Sequence, residues 1–310
     1  VEKKKAKGKV QKEHPFMSTT YSPLPIIQSI PHGGLDIPVE LSGRLAITET
    51  TLYNECDLWV DQLFDFTHPD LAPLHAQTGH AGSLSVTTLS IARALIDANR
   101  FPDDLANPDG PVKSQTSYGQ EIYTLPLTVA EKRALRDTYW GGYHRHLAQA
   151  MTDHEDAARL FLDCHNMAQI SPSAYAFPGA ARPKICLSNY GNLDGEPRDA
   201  HTPLSCPPWF IQTAARLAKE IFADLPMLEP QPGVDVPTVA INWPFHGGYI
   251  LHKYAESQPF GLMVEINRGL FVGNQTPDTP IHPPNLPAIA AIRERLFRWV
   301  VGLIHESAKL

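Results

Sequence analysis

Cysteine is scarce in this chain. Cys56, Cys164, Cys186 and Cys206 are its only thiols, and no two of them form a CxxC pair. So few cysteines cannot staple a chain of 310 residues, and their spacing does not match a structural zinc module. Reduced thiols in the cytoplasm are the simplest expectation. Long apolar runs are missing too. No stretch approaches the roughly 18 residues that a membrane-spanning helix requires, so no membrane partner is expected. The first residues lack the apolar segment and small-residue cleavage site of a secretory signal. Positive charge is not in excess either. The formal net charge of -7 argues against nucleic acid or an anionic membrane as a partner.

What is present is an ordinary globular composition, 43% hydrophobic and 19% charged, long enough for one large α/β domain or two small ones. Proline is abundant, with 29 residues beside 20 glycines, but it is spread along connections rather than gathered in one tract. That describes stiffened loops on a rigid scaffold, where binding residues often sit. Residues 1–16 carry a lysine cluster without apolar periodicity and read as a leader or disordered basic arm. Met17 looks like a native start, and no composition shift follows it, so residues 17–310 read as a single domain.

Along that domain, apolar runs alternate with amphipathic ones. Pro25 to Ile30 reads as a short buried strand that stops at Pro31, releasing His32 before Gly33-Gly34, glycines expected to leave room for a substrate. A helix is expected from about residue 57, with Glu55 and Asp57 at its N-terminus, where they could be caps and nothing more. Leu71 to Ala76 and Val86 to Ile91 read as strands. Thr128 and Glu131 form a capping-box pattern that opens a long helix to about Ala157, with a weak point at Gly141-Gly142. Further strands are expected at Arg159 to Asp163, Pro183 to Ser188, Thr238 to Asn242 and Gly261 to Ile266. Helices are expected from about Pro208 to Ala223 and from about Pro287 to Leu303. The alternation implies an α/β fold with α/β/α layers.

The chemistry gathers where strands end. His32 ends the first strand, Asp57 opens the first helix, His165 ends a middle strand and Glu265 lies near the end of the last. Two histidines and a carboxylate are the ligand set of a catalytic zinc site with one position open. A separate carboxylate is what a metal hydrolase needs as general base and later proton donor. His165 could instead be a core histidine bonded to Asp163. Glu265 is harder to dismiss, because a carboxylate inside Leu262-Met263-Val264-Glu265-Ile266 is costly unless paired or functional. Arg93, Arg100 and Arg268 lie beside these strand ends, and guanidinium groups match carboxylates bidentately. A metal with several arginines points to an amide bond beside one or more carboxylates, as in an N-acyl amino acid.

With these residues in view the chain resembles the N-formylglutamate amidohydrolase family. The resemblance runs from about Pro25 to Arg268. It rests on Pro31-His32-Gly33-Gly34 with Ile37-Pro38, on Glu55-Cys56-Asp57-Leu58-Trp59-Val60-Asp61, and on Arg93 with Asp97-Ala98-Asn99-Arg100. It continues through Tyr118-Gly119-Gln120-Glu121-Ile122-Tyr123, Tyr139-Trp140 with Tyr143-His144, Asp163-Cys164-His165, Pro244-Phe245 with Gly247-Gly248, and Val264-Glu265-Ile266-Asn267. The family departs from this chain at Gly33, Asn166, Ala92 and His246, where serine, serine, serine and lysine are usual.

The resemblance implies a phosphorylase/hydrolase-like fold with a mixed sheet, related to zinc carboxypeptidases. It implies hydrolysis of N-formyl-L-glutamate or a related N-acyl amino acid by a zinc or other divalent-metal enzyme, with a place in amino-acid catabolism. Carried over by position, His32 and His165 become metal ligands and Glu265 the catalytic carboxylate. Asp57 is the chosen third ligand and Glu55 its rival. By analogy with carboxypeptidases, Asn99 and Arg100 would hold a substrate carboxylate. A peptidase or peptidoglycan-type amidase, and a non-catalytic protein that binds a small acidic ligand, are the alternatives.

Overall fold

The structure is a computed structural model that describes residues 21–307; the reading of residues 1–16 and of Met17 lies outside the described residues. The apolar run before Pro31 forms β1 (Ser22–Ile30), and proline, lacking an N–H, ends its ladder. Thr48 caps α1 (Glu49–Glu55) by accepting from the Thr51 N–H, and a turn leads to the single helical turn α2 (Val60–Leu63). The helix expected from residue 57 is therefore two short helices, and Asp57 lies in the turn between them.

Leu71 to Ala76 is not a strand. A 3-10 turn at Pro69–Leu71 runs into α3 (Ala72–Thr78), with proline in its first turn and Gly79 closing it in the left-handed region at φ 75°. A six-residue apolar run carries no period long enough to separate helix from strand. The strand expected at Val86 to Ile91 starts earlier and ends sooner, as β2 (His80–Thr88).

The Thr128 capping box opens α4 (Val129–Leu135) as expected. The helix widens to a π-turn at Arg136–Trp140 before continuing as α5 (Gly141–Asp153). There follow β3 (Leu160–Met167), β4 (Ile185–Ser188), α6 (Pro208–Phe222), β5 (Val239–Ile241), α7 (Tyr249–Lys253), β6 (Phe260–Asn267) and α8 (Leu286–Ser307). His165 thus lies inside β3 rather than beyond its end.

The strands form one mixed sheet of six in the order β2-β1-β3-β6-β4-β5. β2, β1, β3 and β6 run parallel, whereas β4 pairs antiparallel with β6 and parallel with β5. Period-2 alternation sends Leu160, Leu162 and Cys164 of β3, and Leu262, Val264 and Ile266 of β6, into an apolar core with Phe210 of α6 and Phe297 of α8. On the other face Ile27 and Phe161 pack with Leu135, Tyr143, Leu147 and Ile250 of α4, α5 and α7. Helices therefore cover both faces of the α/β sheet. Among the described residues no helix is long and apolar enough to cross a membrane, and the four cysteines are buried and free.

Candidate active site

On the face that begins apolar at Ile27 and Phe161, the strands turn polar toward their C-terminal ends. Ser29 of β1 stands opposite Asp163 of β3, and His165 opposite Glu265 of β6, all buried. In parallel sheets, ligands bind at this edge. Just past β1, the His32 carbonyl accepts the Asp57 N–H at 3.0 Å, which ties the turn between α1 and α2 to the strand end. Trp59 shapes that turn with a left-handed backbone, φ 53°, at a cost of about 1 kcal/mol or more for a residue with a Cβ.

These connections bring three groups together. His32 Nδ1 and His165 Nδ1 are 3.1 Å apart. Asp57 Oδ2 is 3.2 Å from His165 Nδ1 and 3.6 Å from His32 Nδ1. Each imidazole is fixed from behind: His32 Nε2 donates to Asp97 Oδ1 at 2.8 Å and His165 Nε2 to Asp163 Oδ2 at 3.1 Å. With those protons so placed, both Nδ1 lone pairs face the Asp57 carboxylate and each other. Three buried acceptors in that arrangement repel unless positive charge lies between them. Burial alone would lower the His165 pKa, yet Asp163 and Asp57 hold it well above the ordinary histidine value. Burial likewise works to raise Asp57, but Arg93 and the two histidines keep it ionised, well below the usual range. Tetrahedral zinc with 2.0–2.1 Å bonds separates its ligand atoms by about 3.3 Å, near the spacings found. The carboxylate–histidine pairs are also the usual support of a metal site. His32, Asp57 and His165 therefore form a possible metal-binding cluster, and its donor set fits a divalent cation.

Glu55 is elsewhere. Its carboxylate accepts from the Ser117 N–H at 3.0 Å and the Ser117 hydroxyl at 2.8 Å, with Lys113 Nζ 4.0 Å away. Glu265, by contrast, stands beside the cluster. Its Oε2 is buried without a protein partner among the described residues. Burial pushes its pKa up, with the His165 charge opposing.

A cavity of about 220 Å³ opens on this cluster and is lined by His32, His165, Glu265, Asn99 and four arginines, Arg93, Arg100, Arg182 and Arg268. The arginines are not equivalent. Arg93 pairs with Asp57 at 3.0 Å and with Asp97 at 3.4 Å. Arg100 holds Asp109 through Oδ2 at 2.6 Å and the backbone carbonyl at 2.9 Å. The Asn99 amide is also engaged, accepting from the Ile250 N–H at 2.9 Å and donating to Asp163 at 3.3 Å. Among the described residues Arg268 donates only to neutral acceptors, the Asn54 carbonyl at 3.1 Å and Gln275 Oε1 at 2.8 Å.

Arg182 is the lining cation that sequence reasoning missed. It precedes β4, which runs against β6, so residues entering β4 arrive where β6 leaves. An arginine three residues ahead of β4, before Pro183 and Lys184, was the available signal, but the strand's direction was not readable.

Gly33 and Gly34 correct a second expectation. A Cβ on Gly34 would sit 2.0 Å from the Ser90 carbonyl oxygen and one on Gly33 2.9 Å from Val60. They allow close chain packing behind His32, and neither lines the cavity. Of the four departures from the family pattern, Asn166 lines the cavity and its N–H donates to Asp57 Oδ2 at 3.3 Å.

Such a buried cluster and charged cavity, at the C-terminal edge of parallel strands, define an α/β protein built for small-molecule chemistry. The sequence pattern of the N-formylglutamate amidohydrolase family matches residues 24–272, and the chain belongs to that family. A crystal structure of N-formylglutamate amidohydrolase from Ralstonia eutropha JMP134 is similar, with TM-score 0.61 and 20% identity over 90% of this chain and 95% of that one. The crystal structure of a gene product from Agrobacterium tumefaciens gives TM-score 0.52 and 16% identity over 93% of each chain. At these identities the likeness shows the fold. No curated protein sequence matches the chain.

Proposed function

We propose that this protein hydrolyses the amide of an N-formyl or other N-acyl amino acid, with N-formyl-L-glutamate and water giving formate and glutamate. The observation that carries this reading is the convergence of His32 Nδ1, His165 Nδ1 and Asp57 Oδ2 beside a buried carboxylate oxygen of Glu265 that has no protein partner among the described residues. His32, Asp57 and His165 would hold the metal, zinc being the usual choice for two histidines and a carboxylate. When bound, that ion supplies Lewis acidity toward the scissile carbonyl and lowers the pKa of water.

The remaining work falls to the chain. Asp97 and Asp163 fix the imidazole tautomers and orientations. Arg93 neutralises Asp57 and Asp97 from one side and keeps both ionised. Glu265, its basicity raised by burial, takes a proton from the attacking water and returns it to the departing amine nitrogen. The cavity, about 220 Å³, suits a single modified amino acid better than a polymer. The free buried thiols suit a reducing cytoplasm.

The direct test is formate release from a panel of N-formyl and N-acetyl amino acids, before and after chelation, with metal content measured alongside. Undiminished turnover by metal-free protein would end the metal assignment. No hydrolysis of any member by the metal-loaded protein would end the amidohydrolase reading.

A further inference from the structure

Arg182 and Arg268 are the unusual cations of the cavity. Their residues are 4% and 5% exposed. Among the described residues no carboxylate lies within 4.0 Å of either guanidinium, and both Nε atoms are buried without a partner. Arg182 is held by neutral groups: the Ala168 carbonyl at 3.5 Å, the Ser171 hydroxyl at 3.4 Å and the Phe245 ring, 4.9 Å from the guanidinium carbon. Gln275, which accepts from Arg268, is itself held by Asn54 Oδ1 at 2.9 Å. These contacts fix both forks without an ion pair; Glu55 and Glu265 line the same cavity, and Glu265 acts on Arg182 only from beyond 4.0 Å. Arg93 and Arg100, lining the same cavity, are neutralised by Asp57, Asp97 and Asp109. Two positive charges facing one small buried space are strongly unfavourable unless an anion completes them.

We propose that Arg182 and Arg268 form the carboxylate-binding pair of the cavity and select N-acyl amino acids with an acidic side chain over neutral ones. This rests on the hydrolase reading above. Two guanidiniums without an ion pair match the two carboxylates of a dianionic substrate, and a neutral side chain leaves one cation buried and unpaired. The assignment moves substrate recognition from Asn99 and Arg100, whose polar atoms already have partners, to two guanidiniums whose Nε donors have none among the described residues.

The experiment measures binding of glutarate, a dicarboxylate, and of butyrate, a monocarboxylate, to the metal-loaded protein and to Arg182→Met and Arg268→Met. The ratio of kcat/KM for N-formyl-L-glutamate over N-formyl-L-glutamine is measured in parallel. Each methionine variant is expected to weaken glutarate binding by roughly 10- to 100-fold, the effect of one charge-assisted contact, and to lower the ratio similarly. Unchanged glutarate affinity, or equal affinity of the unsubstituted protein for glutarate and butyrate, overturns the proposal. If a methionine variant does not fold, Arg182→Lys and Arg268→Lys decide, because losing the planar fork still weakens glutarate binding about several-fold. Hydrolysis of neutral and acidic substrates alike would keep the hydrolase reading and overturn the pair. No hydrolysis, with glutarate binding lost in the variants, would retire the hydrolase reading and keep the pair.

Discussion

Two parts of one cavity carry opposite deficits. Past β1 and within β3, two imidazole nitrogens and a carboxylate oxygen lie buried within 4.8 Å of one another, a set of metal-ligating atoms. Where β4 begins and β6 ends, two guanidiniums line the cavity with no carboxylate within 4.0 Å among the described residues. Elsewhere among the described residues many buried polar groups are paired, as Asn189 with Asn242 at 2.8 Å and Trp299 with the Ala214 carbonyl at 2.9 Å, although Tyr123, His144, His252 and Tyr254 each keep one atom without a partner. A missing partner in a native interior calls for an explanation. Here the sign of the deficit says what is wanted, a cation in one place and an anion in the other. A substrate with an amide between them and carboxylates at its rim satisfies both.

The largest effects should come from breaking the acceptor side. Removing the metal by chelation should lower turnover by about 1,000-fold or more, since Lewis-acid stabilisation contributes several kcal/mol; restoring zinc should bring it back. Glu265→Gln should reduce kcat by about 100- to 10,000-fold while leaving metal content and glutarate affinity unchanged. Steady-state kinetics beside metal analysis reads both. A Glu265→Gln protein with substantial turnover would remove Glu265 from proton transfer.

Much of the acceptor side was legible in the sequence because its signals are local. A proline stops β1 directly before His32, and Glu265 interrupts an apolar strand where an idle carboxylate would be costly. The Thr128 capping box was readable for the same reason. The donor side was hidden because it depends on topology. Arg182 joins the site only because β4 runs against β6, and strand direction leaves no mark on a four-residue apolar run. The ion pairs of Arg93 and Arg100 were hidden for a related reason. Their partners Asp57, Asp97 and Asp109 sit in irregular turns, where no periodicity says which side chains meet. Leu71 to Ala76 failed as a strand because it is too short to show a helical period, although its proline was a visible clue.

The face of the sheet away from the cavity supplies the next contrast, stability without chemistry. Phe297 of α8 is wholly buried against Phe66 and His75, with ring centroids 5.8 and 5.5 Å away. Phe297→Ala should destabilise folding by about 3–5 kcal/mol, read by urea denaturation. The substrate ratio that reports on the arginines should be unchanged in the folded fraction.

A somewhat smaller effect should follow from pH at His144, on the cavity side. Burial pushes its pKa down to about 4, with its hydrogen bond to the Ala98 carbonyl opposing; that bond is 2.8 Å long. The folded value lies below the unfolded value of about 6.5, so the unfolded chain gains a proton that the native state refuses. Stability from this group is whole above about pH 6.5 and falls until the pH passes below about 4. The loss is about 3 kcal/mol at most, at 1.36 kcal/mol per pH unit. Replacing the group, as in His144→Gln, should flatten the acid slope of unfolding free energy across that window. Equal slopes in the two proteins would mean that His144 is protonated in the native state or is not the group responsible.

The smallest effect sharpens the comparison most. Asp97 touches the acceptor cluster only from behind, through His32 Nε2 at 2.8 Å, and makes no ion pair with Arg182 or Arg268. Asp97→Asn keeps an oxygen that can accept the imidazole proton but removes the charge that orients the ring and raises its basicity. It also withdraws a carboxylate from Arg93 and Arg100, so a modest loss of stability should accompany it. Metal affinity should fall by about 10- to 100-fold, measured by competition with a chelator. Glutarate affinity of the metal-saturated variant should change by less than about 2-fold, because the two deficits are built from separate contacts. A parallel loss of glutarate binding would show that Asp97 sets the field of the whole cavity, and the two ends would then have to be treated as one charged network.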